Sequence, residues 1–280
     1  MKLIADCGST KIDWCVVDGQ KLVARFETKG MNAVMLTRQE MAKRIAEEVA
    51  PHLPSGIEHV YFYGAGCISP EVCANVAEAI RESVPANDIQ VATDLLGAAR
   101  ALCGHTRGIA CILGTGSNAC YYDGEAIVRN VSPLGYILGD EGSGAVLGKL
   151  LVGNVLKRQL PDDLCEKFLK QYDLDALKII QRVYREPAGN RFLASLSPFL
   201  LQNIDRPEIA AMTREALYQF FKRNVRQLAD QYMDVEPVAN FVGSIAHYYR
   251  PQLEQAAAEC GISVGTVLRS PMEGLIQFHK

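Results

Sequence analysis

Several signals of common protein classes are missing from this 280-residue sequence. No apolar run approaches the length of a membrane span, and charge interrupts the opening MKLIADCGST too early for a signal peptide. The formal net charge is −3, and no basic run is long enough to follow a nucleic-acid backbone. These absences predict a cytoplasmic protein that binds neither a membrane nor a nucleic acid.

Patterns for disulfides, zinc and the common nucleotide loops are missing as well. The nine cysteines are odd in number, form no C-x-x-C pair and lie in apolar segments, which is typical of core residues in a reducing compartment. The five histidines show no H-E-x-x-H spacing, and neither a Walker-A nor a G-x-G-x-x-G motif occurs. Any nucleotide site must therefore use another kind of loop.

What the sequence does contain is a repeated pattern of short strands. The pattern is a strand, a Gly/Ser/Thr turn, a second strand, an Asp-Gly hairpin turn and a third strand. The strands are predicted at 2–7, 11–17 and 20–28, and again at 109–113, 119–122 and 125–131. The hairpin turns are Asp18-Gly19 and Asp123-Gly124. The repeat predicts two copies of one architecture.

The rest of the sequence alternates between helical and extended patterns. Further strands are predicted at 59–63, 89–93, 237–242 and 262–267, and helices at 37–50, 70–83 and 95–103, near Gly142, from Gly243-Ser244 to Cys260, and from Pro271. Residues 160–235 show helical spacing throughout. We therefore predict an α/β fold with an N-terminal lobe at 1–106, a C-terminal lobe at 107–280 and a helical insertion at 160–235.

Three predicted strands end in turns of small residues. The turns are Gly8-Ser9-Thr10-Lys11, Gly114-Thr115-Gly116-Ser117 and Gly243-Ser244. Such turns can bind phosphate because no bulky side chain blocks the approach to their backbone N–H groups. One turn alone decides nothing, since small residues are common in ordinary turns. Three of them, two in matching positions of the repeat, favour a nucleotide site.

Asp6 precedes the first of these turns. A carboxylate there would repel phosphate unless a divalent cation lay between them, and Mg²⁺ is commonly held by one carboxylate together with nucleotide phosphates. Asp6 is therefore either a Mg²⁺ ligand, through water, or a residue that merely caps the turn.

Asp94 follows the strand predicted at 89–93, where a side chain can face a cleft. Phosphoryl transfer to an alcohol needs a carboxylate that accepts the hydroxyl proton, so Asp94 is the candidate general base. It also suits the N-cap of the following helix, and the two roles are compatible.

Residues 139–144 read Gly-Asp-Glu-Gly-Ser-Gly, with two carboxylates between glycines at the start of a predicted helix. A fixed carboxylate there can accept hydrogen bonds from sugar hydroxyls. The alternative is a helix N-terminus with favourable acidic residues. Asn32 is either a second polar contact to such a ligand or a loop residue.

Together these motifs resemble those of the actin-like ATPase superfamily, which includes sugar kinases, actin and heat-shock chaperones. Residues 6–11 are similar to its first phosphate motif, usually D-G-G-G-T-K, with Cys7 and Ser9 in place of two glycines. Residues 113–118 are similar to the second phosphate motif, and 241–246 to the adenosine motif V-G-G-V, with Ser244 in place of a glycine. The resemblance implies a duplicated, ribonuclease H-like core of two lobes, with ATP and Mg²⁺ in the cleft between them.

Within the superfamily, residues 114–118 and 139–144 resemble the N-acetylglucosamine kinases and the related BadF-type ATPases. This resemblance covers nearly the whole chain and implies a homodimer with Asp94 as the catalytic base. The residues it implies as sugar contacts are Asn32, Thr115, Gly116 and Asp140. One departure is Leu134, which replaces a tryptophan that the family often places near the sugar.

The leading hypothesis is an ATP:sugar phosphotransferase acting on N-acetylglucosamine or a related hexosamine. The alternative is a BadF-type ATPase that activates a partner enzyme through an iron–sulfur cluster, for which Cys67 and Cys73 are a poor match. A third hypothesis is an actin-like or chaperone-like scaffold without a small-molecule substrate. The polar segment 139–144 favours a sugar.

Overall fold

The computed structural model describes residues 1–8, 10–19, 21–233 and 236–280. Packing divides the chain into two compact units. The first unit comprises Met1–Arg107, Tyr122–Ile127 and Ser270–Lys280, and the second comprises Gly108–Tyr121 and Val128–Arg269. The lobes expected at 1–106 and 107–280 are each one continuous stretch of sequence, whereas each compact unit joins separate stretches. The division into these lobes stays a prediction.

The described residues form ten strands, fourteen α-helices and two short helical turns. Strands β1 to β10 are Lys2–Cys7, Lys11–Asp18, Lys21–Lys29, His59–Gly64, Asp88–Thr93, Gly108–Leu113, Ser117–Tyr122, Ile127–Val131, Val238–Val242 and Ser263–Leu268. Helices α1 to α14 are Arg38–Glu48, Pro70–Arg81, Asp94–Cys103, Gly135–Leu138, Gly144–Leu156, Asp162–Tyr172, Ala176–Tyr184, Gly189–Ser195, Ser197–Gln202, Pro207–Phe220, Arg226–Tyr232, Ser244–Tyr248, Arg250–Glu259 and Met272–Phe278. A 3₁₀ turn occupies Ala50–His52 and a π-helical turn occupies Phe221–Val225.

The two sheets have the same strand order. The first runs β3-β2-β1-β4-β5, and the second, read from the opposite edge, runs β8-β7-β6-β9-β10. In the first sheet β1 pairs antiparallel with β2 and parallel with β4, and β4 pairs parallel with β5. In the second sheet β9 pairs parallel with both β6 and β10. The predicted repeat of one α/β architecture is confirmed.

The first sheet is covered on both faces. On one face Trp14 is fully buried with residues of α1 and α2, and its Nε1 donates to Thr28 Oγ1 over 2.9 Å. On the other face Ile4 packs with Met272 and Leu275 of α14. Alternation along each strand sends successive side chains to opposite faces, so this sheet uses both sets of apolar residues.

The second unit contains the predicted helical insertion, in which α6 to α11 follow one another. Its core joins the sheet to these helices through buried aromatic rings, including Phe168, Phe199, Phe220 and Phe241. Among the described helices, none combines the length and the apolar character needed to cross a membrane.

Two predicted helices differ from the structure. The helix expected from Gly243-Ser244 to Cys260 is broken at Tyr249 into α12 and α13, because Pro251 in the first turn of α13 has no N–H to continue the ladder. The helix expected near Gly142 begins at Gly144, after Ser143, whose Oγ accepts a hydrogen bond from Val146 N over 3.2 Å. The short helix α4 before it was not predicted.

One strand also begins later than its pattern indicated. The strand expected at 125–131 starts at Ile127. Asp123 Oδ1 accepts hydrogen bonds from Glu125 N and Ala126 N, at 2.9 and 2.8 Å, and so extends the turn. An Asp side chain that binds the backbone two residues on competes with strand pairing.

Candidate functional site

Three parallel strands of the first sheet end at one edge. Cys7 of β1 pairs with Gly64 of β4, and Gly64 pairs with Thr93 of β5. Asp6 and Asp94 therefore lie at the same edge, on either side of β4. Ligands of α/β sheets bind outside the carboxyl ends of the strands, which makes this edge the place to look for chemistry.

Asp6 lies among other carboxylates. Asp13 of β2 is its direct cross-strand partner. Burial raises the pKa of Asp6 from 3.8 to about 7, with further contributions from the negative charges of Asp94 and Asp13, while Lys11 acts in the opposite direction. A divalent cation would relieve this concentration of negative charge. In the described part of the chain no three acidic, His or Cys side chains could hold a metal by themselves, so such a cation needs phosphate or water oxygens as well.

Asp13 is a residue that the sequence analysis missed. It is 5% exposed, and Arg25 of β3 binds both of its oxygens, with Nε–Oδ1 at 3.1 Å and Nη2–Oδ2 at 2.7 Å. Arg25 Nη1 also contacts Glu273 Oε1 at 2.6 Å. A lone acid within the apolar strand 11–17 was the available signal, because a buried charge needs a partner.

Asp94 is the first residue of α3 and is half-buried. The N-cap of this helix is Thr93, whose Oγ1 accepts from Leu96 N over 3.1 Å, so the alternative assignment of the N-cap to Asp94 is wrong. Burial raises the pKa of Asp94, and a hydrogen bond from Leu95 N, at 2.9 Å, partly offsets that effect. The raised pKa makes its carboxylate a stronger proton acceptor.

The turn between β1 and β2 is tight. Gly8 N donates to Lys11 O over 3.0 Å, and Gly30 N donates to Thr10 O over 3.0 Å. Lys11 forms an ion pair with Glu27, and both side chains are more than half exposed. Ser9, one of the four predicted phosphate contacts of this turn, lies outside the described residues.

Asn32 lies in a loop beside the end of β1. The Cys7 thiol donates to the carbonyl of Met31 over 3.0 Å, which ties this loop to the strand. Asn32 Oδ1 accepts from Val34 N over 3.0 Å, and a Cβ atom on Gly66 would lie 2.5 Å from that oxygen. Glycine at 66 therefore leaves the room that the Asn32 side chain occupies, and Asn32 is half-buried at the same end of the sheet as Asp6.

In the second unit, the turns after β6 and β9 contact each other. Gly243 has φ +127°, and a Cβ atom there would lie 2.2 Å from the carbonyl oxygen of Leu113, so only glycine fits. Gly243 N donates to Leu268 O over 2.9 Å, which joins the end of β10 to the same edge. The structure thus brings Gly114 and Gly243 together, with Ser244 exposed at the start of α12.

Asp140 lies against the turn at 114–117. Its Oδ1 accepts from Ser117 N over 3.2 Å, and a Cβ atom on Gly116 would lie 3.2 Å from Oδ2. Burial raises the pKa of Asp140, the Ser117 N–H lowers it, and the charge of Glu141 raises it further, while Lys149 lowers it. Asp140 is 8% exposed, and the Ser117 N–H of the same unit holds its carboxylate in place, as is expected of a fixed hydrogen-bond acceptor.

The first residues of α5 are hydrogen-bonded to the turn at 114–117. Gly144 N donates to Gly114 O over 2.8 Å, and Ala145 N donates to Thr115 O over 3.1 Å. The two motifs of the second unit, 114–117 and 139–144, are therefore one hydrogen-bonded assembly.

Glu141 has partners that no local pattern indicates. Asn224 Nδ2 donates to its Oε2 over 3.3 Å, and Arg223 Nη1 lies 2.8 Å from its Oε1. Both partners belong to the π-helical turn, far from Glu141 in the sequence. Sequence reasoning missed them because contacts between distant segments leave no periodic signal.

Two α/β sheets of one topology, with small-residue turns and carboxylates at their strand ends, define the class of two-lobed actin-like ATPases and sugar kinases. No model of a protein family matches the sequence, and no curated protein does either. A solved Porphyromonas gingivalis protein, provisionally named an N-acetylglucosamine kinase, is 48% identical over 100% of this chain and 98% of its own, with a TM-score of 0.95. The chain belongs to the family of that protein, the N-acetylglucosamine kinase family of the actin-like sugar kinases.

More distant structures share the fold. A Chromobacterium violaceum protein with the same provisional name is 19% identical over 100% of this chain and 98% of its own, with a TM-score of 0.74. A ROK family glucokinase of Streptomyces griseus, solved with glucose and AMPPNP, is 16% identical over 99% of this chain and 97% of its own, with a TM-score of 0.66. The predicted actin-like fold is confirmed.

Proposed function

We propose that this protein is an ATP-dependent kinase that phosphorylates a hydroxyl group of N-acetylglucosamine or a closely related hexosamine. The observation that carries the proposal is the 48% identity, over the whole chain, to the Porphyromonas gingivalis protein provisionally named for that activity. The residues at the strand ends supply the chemistry that the reaction needs.

Asp94 is the proposed general base. A sugar hydroxyl attacks the terminal phosphorus of ATP, the bond from that phosphorus to the bridging oxygen breaks, and the hydroxyl proton passes to the Asp94 carboxylate. The raised pKa of Asp94 supports this role, since a base whose pKa lies nearer neutrality accepts a proton more readily.

Asp6 is the residue we propose to hold Mg²⁺. Its raised pKa, caused by burial and by Asp94 and Asp13, fits a position that a cation would stabilise. When bound, Mg²⁺ supplies positive charge that neutralises the phosphate oxygens. The ATP phosphates are proposed to bind the turns at Gly8–Lys11 and 114–115, and the adenosine the turn at Gly243-Ser244.

Asp140 is the proposed acceptor for sugar hydroxyl groups, together with Asn32, Thr115 and Gly116. The Ser117 N–H holds its carboxylate in place, which supports a fixed hydrogen-bonding role. Leu134 is 60% exposed and precedes this segment, so an aliphatic side chain stands where the family often has tryptophan. We further propose, from the family resemblance, that the protein acts in the cytoplasm as a homodimer.

The test is ATP consumption by the purified protein with Mg²⁺ and a panel of sugars, beside the Asp94→Asn variant. We expect strong stimulation by N-acetylglucosamine or a near relative, and a loss of roughly 10²- to 10⁴-fold in the variant, the usual contribution of a general base. Turnover that ignores every sugar, or that Asp94→Asn leaves unchanged, would contradict the proposal. That result would favour the partner-activating ATPase, for which an absorbance band near the visible range would be the next measurement.

A further inference from the structure

We infer that Asn224 and Arg223, on the π-helical turn Phe221–Val225, are positioning residues that fix Glu141 and, through it, the Asp140 segment. Their catalytic consequence rests on the proposed role of Asp140 in sugar binding. Neither residue is assigned contact with the sugar or with ATP.

The π-helical turn redirects one continuous helical segment. Helix α10 ends at Phe220, the π turn follows directly, and α11 begins at Arg226. A π turn adds a residue to the helical cycle, so the side chains after it point elsewhere than an unbroken α-helix would send them. Such turns are rare and are frequently found at functional sites.

Both oxygens of Glu141 are bound from this turn. Asn224 Nδ2 lies 3.3 Å from Oε2, and Arg223 Nη1 lies 2.8 Å from Oε1. The side chain of Glu141 is 13% exposed and Asn224 is 6% exposed, so solvent does not substitute readily for the Asn224 amide, whereas Arg223 is 57% exposed. A largely buried carboxylate that loses a partner is strongly disfavoured where it stands.

The next residue touches the same helix. Gly142 has φ +71°, and a Cβ atom there would lie 3.0 Å from Phe220 Cβ, the last residue of α10. Glu141 and Gly142 are therefore both set by one segment, immediately before Ser143 N donates to Asp140 O over 3.1 Å. We therefore expect a shift of the backbone at Glu141 to be transmitted to its covalent neighbour Asp140.

Charge points to the same conclusion. Glu141 is a negative neighbour of Asp140, and Lys149 is the cation that acts on Asp140 directly. Arg223 supplies the opposite charge at Glu141 itself. Arg223 therefore offsets part of the repulsion between two adjacent carboxylates, and its loss should strengthen that repulsion.

The decisive variant is Asn224→Asp, which sets a carboxylate against Glu141. We expect the KM for the sugar to rise roughly 10- to 100-fold with a much smaller change in kcat, because a hydrogen bond to a charged group is worth about that much and a displaced Asp140 loses binding that the bound sugar and the transition state share. The double variant Glu141→Gln with Asn224→Asp exchanges donor and acceptor, and we expect it to restore most of the sugar affinity. Asn190→Asp makes the same chemical change in α8 of the same unit and should leave the KM unchanged.

Hydrogen exchange gives a readout that does not depend on activity. In Asn224→Asp, the amides of Asp140 and Gly144, which donate to Pro133 O and Gly114 O, should exchange faster, and the double variant should slow them again. If Asn224→Asp does not fold, Arg223→Met at a 57% exposed side chain replaces it, with a smaller effect in the same direction.

An unchanged sugar KM together with unchanged exchange at Asp140 and Gly144 would overturn the inference. A wild-type protein that no sugar stimulates would instead contradict the proposed function. In that case the exchange measurement still decides whether Asn224 and Arg223 fix the segment.

Discussion

Asp6, Asp13 and Asp94 concentrate negative charge at the carboxyl ends of β1 and β5. Asp13 has its charge balanced by Arg25, whereas the pKa of Asp6 is raised to about 7. Ionised Asp6 therefore destabilises the metal-free protein, and the same feature favours a cation. Residues that serve a ligand commonly cost stability in its absence.

Asp6→Asn should reveal this cost as a pH-dependent gain in stability. The native pKa of about 7 lies above the ordinary value of 3.8, so between these values the native state binds more protons and wild-type stability falls as the pH rises. The Tm advantage of Asp6→Asn should therefore be near zero below about pH 4 and largest above about pH 7. Thermal unfolding of both proteins without metal measures it. An advantage equal at the two ends of the range would show that ionisation of Asp6 is not what destabilises the metal-free protein.

The positions of Asp6 and Asp94 could be predicted from sequence because each lies at the end of an apolar strand, and strand ends leave a clear local pattern. The side chains that surround Asp6 and Asp94 could not be predicted from the sequence. The Asp13–Arg25 pair is a diagonal contact between neighbouring strands, since Asp13 lies opposite Glu27 and Arg25 lies opposite Cys15. The contact of Glu141 with Asn224 joins distant segments. Only the fold determines such contacts.

At the scale of elements, α3 and α14 approach each other unusually closely. A Cβ atom on Gly274 of α14 would lie 2.3 Å from Ala101 O of α3. Asp94 begins α3, so the packing of α14 supports the helix that carries the proposed base.

Gly274→Ala should therefore destabilise the protein, by about 1–3 kcal/mol or more, because the added methyl group meets backbone atoms that cannot move aside cheaply. Gly153→Ala in α5 is the matched control: apart from its chain neighbours and the backbone of its own helix, no atom lies within 4 Å of its Cβ position. That substitution should stabilise the protein by roughly 0.5–1 kcal/mol through helix propensity. Urea unfolding measures the free energy of unfolding of both variants. If both substitutions change it in the same direction, the close α3–α14 contact does not determine the effect at Gly274.

Elements with strong local signals could be predicted from the sequence, and elements set by distant packing could not. Pro70 after Ser69 marks the start of α2, and the Asp-Gly turns mark both hairpins. The π-helical turn at Phe221–Val225 left no such signal, because the spacing of its apolar residues fits an ordinary helix. The break at Tyr249 does have a local signal, Pro251, although the apolar spacing predicts one continuous helix there.

At the scale of the whole molecule, ligand binding should separate Asp140 from Asp94. Saturation at about 100 times Kd stabilises a protein by about 2.7 kcal/mol, which raises Tm by several degrees. We expect N-acetylglucosamine to raise the Tm of Asp94→Asn nearly as much as that of wild type, because Asp94 acts mainly in the chemical step. Asp140→Asn should lose most of the shift. Differential scanning calorimetry measures these Tm shifts. A Tm shift in Asp140→Asn as large as that of wild type would show that Asp140 does not contribute to sugar binding.

The first unit includes Ser270–Lys280, and this has a consequence for synthesis on the ribosome. Ile4, Cys15 and Val17 share a core cluster with Met272 and Leu275, so the part of this sheet face that α14 covers stays exposed until those residues have been translated. At about 5–20 residues per second, the interval between Arg107 and Ser270 lasts roughly 10–30 seconds. During that interval the nascent chain presents an incomplete core, and a chaperone that shields apolar surface would act on it then.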